Sequence, residues 1–333
     1  MKKLIILLLL LLATAYPLHP AFKDWGWGTR PAGMGSVFTA ISDDVNAPLW
    51  NPAGLSQLGR KEATFMYAKP YLGLGNVDFG LMYFGYAHPL PSLFPATVGL
   101  NISDFNAAEL YKENVISLSC AGKIIESKVW CLSTGISVKY LSHGYNWEEG
   151  SGGSFGNFRE VAIYYGDPVV SNGNSVGALT LDLGILAKFS KISVGLTGKN
   201  ITEPNVGLYY KDKVPSELSL GFGYRVASWK GMSDIILGAD LLYRNQEWGN
   251  YSDKSDMSFG AEGWLEEHTY GLRAGKNNHE ISLGGSLRKE LVKDVTLQID
   301  YAMIWSSRIA DNLGTHRISI SLKFGAPLVQ PRP

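Results

Sequence analysis

Arg317-Ile318-Ser319-Ile320-Ser321-Leu322-Lys323-Phe324 sets an apolar residue at every second position and a polar or charged one between, through to Phe324. Period two over a run of this length is the pattern of a strand with one face in an apolar medium and one face wet. The preceding stretch repeats it. Val295, Leu297, Ile299 and Tyr301 alternate with Thr296, Gln298 and Asp300. Working back toward the N-terminus, the pattern predicts strands over 62–68, 77–88, 96–103, 113–125, 128–141, 178–189, 191–200, 215–226, 233–244, 257–266, 268–276, 279–289, 294–305 and 315–324. The count is even, and most strands have the length that a tilted strand needs to cross a bilayer, roughly 9–11 residues. Joins after even strands are short, such as Ser190 alone or Glu267, whereas joins after odd strands include 142–177, 201–214 and 245–256. A β-sandwich has no reason to sort its loops by parity; a transmembrane barrel does, with tight turns at one rim and long loops at the other. The predicted fold class is therefore all-β: a transmembrane antiparallel β-barrel of about fourteen strands over 62–324, whose termini lie at the short-turn, periplasmic rim.

In such a barrel the apolar face meets lipid and the polar face lines the lumen. The lumen should hold Asp182, Lys188, Lys199, Arg225, Asp240, Arg244, Glu262, Arg273, Asp300, Arg317 and Lys323. Their mixed signs predict internal ion pairs rather than a pore selecting one charge, which would show a ring of one sign. Trp130, Tyr140, Tyr243 and Trp305 suit an interfacial girdle. The two cysteines, Cys120 and Cys131, fall on opposite faces of one hairpin, which predicts free thiols.

Lys2 and Lys3, the apolar run 4–12 and Ala13-Thr14-Ala15 have the order of an export signal, too short to span a bilayer as a helix. Cleavage after 15 starts the mature chain at Tyr16; cleavage after His19-Pro20-Ala21 starts it at Phe22. The expected location is the bacterial outer membrane. Lys+Arg and Asp+Glu balance at 30 each, so no nucleic-acid partner is expected.

Residues 22–61 break the strand pattern. They include Arg30, Gly33, Met34 and Gly35, then Asp43, Asp44 and Asn46, then Trp50-Asn51-Pro52-Ala53-Gly54. Asn51 before Pro52 fits a helix start, and Ser42 or Asp43 could cap another. A piece this small cannot hold a core alone, so it is expected to fill the lumen as a plug. Asp43-Asp44 can be read as a metal or acid-base pair, but turn chemistry beside Ser42 and Asn46 explains it more simply. The six histidines have no metal-ligand spacing. No nucleophile elbow, P-loop or dinucleotide motif occurs, so no enzyme, catalytic residue, metal or cofactor is expected. Trp147, Phe155, Phe158, Tyr164 and Tyr165 lie in the long loop 142–177, and two readings stand: a surface site for an apolar ligand or partner, or packing on the rim.

The blocks Arg30-Pro31-Ala32-Gly33-Met34-Gly35, Ala40-Ile41-Ser42-Asp43-Asp44 and Trp50-Asn51-Pro52-Ala53-Gly54-Leu55 resemble the N-terminus of the PorV/PorQ proteins of the FadL-like outer-membrane superfamily. The resemblance runs on through Gly198-Lys199-Asn200-Ile201, Val214-Pro215-Ser216-Glu217-Leu218, Gly260-Ala261-Glu262 and Gly314-Thr315-His316-Arg317, while the tail 325–333 runs past the terminal aromatic. It implies a fourteen-stranded barrel with an N-terminal hatch. It also implies one of two functions: passive transport of hydrophobic small molecules such as fatty acids, or a docking and shuttle role with cargo and machinery of type nine secretion. Outer-membrane lipid is the partner common to both.

Overall fold

The computed structural model describes residues 21–22, 25–74, 78–90, 95–108, 110–146, 173–245, 254–309 and 312–326. The signal segment 1–15, the loop aromatics Trp147, Phe155, Phe158, Tyr164 and Tyr165, and the tail beyond 326 lie outside these residues.

Fourteen strands form one closed antiparallel barrel. They are β1 (Lys61–Lys69), β2 (Phe79–Leu90), β3 (Ala96–Ala107), β4 (Tyr111–Glu126), β5 (Trp130–Tyr145), β6 (Ser175–Phe189) and β7 (Ile192–Lys199). The second half comprises β8 (Ser216–Trp229), β9 (Met232–Asn245), β10 (Ser255–Leu265), β11 (Tyr270–Lys276), β12 (Glu280–Val292), β13 (Val295–Ser306) and β14 (Thr315–Phe324). Every strand neighbours its successor, and β14 pairs back onto β1 from Lys61↔Phe324 to Lys69↔His316. Closure leaves no unpaired edge, which is what a spanning sheet needs where no water can satisfy backbone groups. Among the described residues no helix is long and apolar enough to cross a membrane.

The alternation turns Leu118, Leu179, Leu220, Phe259, Leu283 and Ile320 outward, all at least half exposed. Tyr140, Tyr243 and Trp305 share this face, and Trp130 stacks on Phe189. The predicted lumen residues lie inward, with Asp182, Asp240, Glu262, Arg273, Asp300 and Arg317 buried. Cys120 is exposed, Cys131 is half-buried, and both are free. Connections 190–191, 230–231 and 293–294 stand at one rim and 200–215 at the other. β4, β5 and β6 reach further at the long-loop rim than the pattern predicts, to Tyr111, Tyr145 and Ser175. There Tyr111, His143 and Tyr145 pack on one another, which supports the added length of the strands.

Inside the barrel runs the segment 25–60. It holds helix α1 (Thr29–Gly33), helix α2 (Ala47–Trp50) and a 3₁₀ turn, Pro52–Gln57. Asn51 caps that turn, its Oδ1 accepting from Ala53 N at 3.1 Å, as the Asn-Pro pair predicts. Ser42 caps nothing. Its hydroxyl donates back to Phe38 O at 2.7 Å, and the next helix begins at Ala47 behind Asn46. The barrel's own ends, Lys61 and Phe324, do sit at the short-turn rim. The chain before β1 nevertheless starts at the opposite rim, where Phe22 lies against Glu113 near the start of β4. Strand parity fixes where a barrel closes, not where a segment threaded through it begins.

Candidate functional site: the plugged lumen

The plug has two faces, and the barrel wall is divided to match. Toward β1–β4 the contact is apolar: Trp25, Trp27 and Leu49 pack against Met66, Ala68, Leu81, Tyr83 and Phe105. Toward β8–β14 it is ionic. Arg30 leaves α1 and meets Glu262 of β10 as a bidentate pair, Nε to Oε2 and Nη2 to Oε1, both 2.8 Å. Its remaining nitrogen, Nη1, donates to Asp43 Oδ1 at 2.5 Å and to Asp44 Oδ2 at 2.8 Å. From there the charges spread through the wall. Arg273 joins Glu262 to Asp300, at 2.5 and 3.0 Å, and Arg225 joins Asp43 to Asp234, at 2.9 and 2.5 Å. The planar guanidinium can serve several carboxylates in fixed directions, which a lysine ammonium could not. Adjacent acids in the sequence thus serve as the two lower anchors of one arginine, and that occupancy argues against the metal reading of Asp43-Asp44.

Other parts of the plug motif tie backbone to wall. Asp240 Oδ2 accepts from Phe38 N and Thr39 N, at 2.9 and 2.8 Å. Glu62 accepts from Val45 N at 3.1 Å and pairs with Lys323 at 2.9 Å. Lys188 reaches Gln57 at 2.8 Å. Asn46 is fastened to Asp44 Oδ1 by its backbone N and its Nδ2, both 2.8 Å, and Trp50 Nε1 donates to Trp27 O at 2.9 Å. Met34 is fully buried beside Val37, Phe38, Ile41 and Trp50. Asn51 Nδ2 bridges Thr39 O at 2.9 Å and Ile185 O at 3.0 Å. The Asn51→Ala variant strips a partner from the buried Thr39 carbonyl, the part-buried Ile185 carbonyl and the Ala53 amide. It should lose about 1–3 kcal/mol of stability, read as a shifted denaturant midpoint of tryptophan fluorescence in detergent. An unchanged midpoint would remove Asn51 from the account of the plug.

Sequence reasoning missed the glycines of the wall. Gly135 of β5, Gly184 of β6, Gly195 of β7, Gly221 of β8, Gly260 of β10 and Gly275 of β11 lie within their strands in lumen phase. Several face each other across strands: Gly135↔Gly184, Gly195↔Gly221 and Gly260↔Gly275. At each of the six, an added Cβ would come within 3.0 Å of plug atoms. Plug backbone therefore lies directly on strand backbone, with Gly33 and Gly35 answering from the other side. The available signal was a glycine at the polar phase of a strand interior, where it weakens the strand and so marks close approach.

Above the plug, at the long-loop end, a cavity of about 380 Å³ opens. Its wall is mixed, with Lys199, Glu217, Arg244 and Arg317 beside Trp25, Tyr71, Leu242 and Ile304.

A family model described as type IX secretion system membrane protein PorP/SprF matches residues 45–322. The chain belongs to the PorP/SprF family. The match does not extend to the finer PorV/PorQ resemblance of the sequence motifs. Those motifs build the plug and its seat, so they report the architecture and not which branch carries it. No curated protein matches the chain in sequence. Among solved structures, the toluene transporter TbuX of Ralstonia pickettii is 10% identical with a TM-score of 0.55, over 91% of this chain and 99% of that one. The toluene transporter TodX of Pseudomonas putida is 10% identical with a TM-score of 0.54, over 92% and 98%. A FadL homologue of Pseudomonas aeruginosa is 13% identical with a TM-score of 0.53, over 89% and 98%. At these identities the likeness is one of fold: this PorP/SprF-family member is a closed β-barrel of FadL-like architecture.

Proposed function

We propose that this PorP/SprF-family barrel is a non-enzymatic docking component of protein secretion at the outer membrane, offering its long-loop rim to exported cargo or to the secretion machinery. The observation that carries the reading is the buried brace around Arg30. With Glu262, Asp43 and Asp44 held by one guanidinium, the lumen is obstructed by a segment bonded to the wall, and the rim is left as the working surface. The family description supports the same reading.

A second reading has its own observation. The cavity at the long-loop end presents Trp25, Tyr71 and Leu242 to an entering ligand, and its structural neighbours include two toluene transporters. Passive transport of hydrophobic small molecules such as fatty acids would require the plug to move. Parting Arg30 from Glu262 costs about 3–5 kcal/mol, the loss seen when a buried pair is broken.

One comparison separates the two. Removing the protein from its native bacterium should strip exported proteins from the cell surface, while vesicles carrying the purified barrel take up labelled fatty acid no faster than empty ones. Normal surface export together with barrel-dependent uptake would replace docking with transport.

A further inference from the structure

The strongest unexplained arrangement lies at the start of the plug. Phe22 N donates to Glu113 Oε1 at 2.9 Å, and Tyr111 donates its hydroxyl to the same oxygen at 2.7 Å. Glu113 is 8% exposed. The ion pairs of this wall join Lys139 to Asp182 and Arg244 to Glu217, and among the described residues they leave Glu113 with no lysine or arginine partner, the imidazole of His143 being the ionisable ring close to it. A buried carboxylate without a countercharge is costly. The Phe22 ring is seated edge-on against His143 at 5.8 Å, in the apolar cluster of Leu141, Val206 and Val214. Its backbone is strained all the same: φ is 61°, a left-handed value that a bulky side chain disfavours.

We infer that the mature chain begins at Phe22 and that Glu113 holds its free α-ammonium at the long-loop end of the lumen. The step is hydrolysis by a signal peptidase. The bond between Ala21 C and Phe22 N breaks, the hydroxyl of a water goes to the Ala21 carbonyl carbon and its proton to the Phe22 nitrogen. At neutral pH that amine takes up a second proton and the new Ala21 carboxyl loses one. Three observations are then accounted for together. Glu113 gains a countercharge on the very atom it already contacts, by a charge-assisted hydrogen bond stronger than the amide N–H hydrogen bond it replaces. Phe22 loses its strain, because φ is not defined for a residue with no predecessor. The ring remains as the anchor that keeps the new terminus in place. Asp212 adds a second carboxylate nearby: burial pushes its carboxyl above the ordinary range, against the hydrogen bond from the Ala21 amide.

The first test is the N-terminal sequence and intact mass of the protein from its native outer membrane. A free Phe-Lys-Asp-Trp start is expected; a start at Tyr16, a retained signal or a blocked Phe22 overturns the inference. The second test is acylation of that amine at pH 7 in detergent-folded protein. Pairing with Glu113 should raise the α-amino pKa above its usual 7.7–8.0, so the Glu113→Gln variant should label about tenfold faster, the equivalent of one pKa unit. Heat-dependent gel migration shows that both proteins are folded. Equal labelling of the folded pair would overturn the role of Glu113 even with a Phe22 start.

Discussion

Replacement of Arg30 by alanine is expected to lower the stability of the folded protein by about 3–5 kcal/mol and to unseat the plug. The reasoning is electrostatic. Glu262 is 2% exposed and Asp44 is 7% exposed, and both are held by the same guanidinium. Without it, Asp43 keeps Arg225 and Glu262 keeps Arg273, but Glu262 loses its pair across the plug interface and Asp44 loses its arginine. Truncation removes one partner and leaves the others buried, which is the costly way to break such a network. In detergent the variant should unfold at lower denaturant, and protease should cut within 25–60 while the strands survive. In planar bilayers it should conduct where the wild type is nearly closed. A variant that melts, resists protease and conducts like wild type would mean that the apolar face against β1–β4 holds the plug alone.

The second large effect is steric. Gly275→Val places a branched side chain where Met34 C and Gly35 N of the plug already lie within the reach of a single Cβ. These neighbours are main-chain atoms of a helix end and a tight turn, so no rotamer change can make room. Overpacking of this kind costs about 1–3 kcal/mol where the surroundings can yield, and more where they cannot. The barrel strands themselves can accept valine, so the expected product is a closed sheet with an empty lumen, seen as higher single-channel conductance and a protease-sensitive N-terminus. Gly80→Ala is the matched control, since a Cβ there meets nothing within 4 Å. Equal conductance for the two variants would sink the claim that the glycine belt seats the plug.

The strands were legible because their signal is local. Lipid on one side and lumen on the other impose period two, and Arg317 to Phe324 shows it without help from the rest of the chain. The lumen residues followed from the same alternation, so the positions of Glu262, Arg273 and Asp300 could be read, and with their mixed signs the ion pairs as well. Which pairs form could not be read. Arg30 and Glu262 stand 232 positions apart, and no periodicity links a plug residue to a wall residue. Mid-strand glycines such as Gly184 and Gly260 mark a close approach in sequence, but what approaches is seen only when the plug is laid against them. The family shows the same limit. Asn51-Pro52 caps a turn and touches Ile185 O through Asn51, and any chain needing that seat would use such a pair. Motifs that shape a plug identify the architecture before they identify the branch.

That Phe22 lies at one rim and Lys61 at the other has a consequence for assembly. A finished barrel would have to admit some forty residues end-first through a lumen walled by Leu186, Leu141 and Met66, and then bond them in place. The alternative order needs no threading. The early segment lies down first, strands are added along it in sequence, and the sheet curls around it as around a mandrel until β14 reaches β1. The plug would then be a former for the cylinder, setting its girth through the glycines before it serves as its stopper.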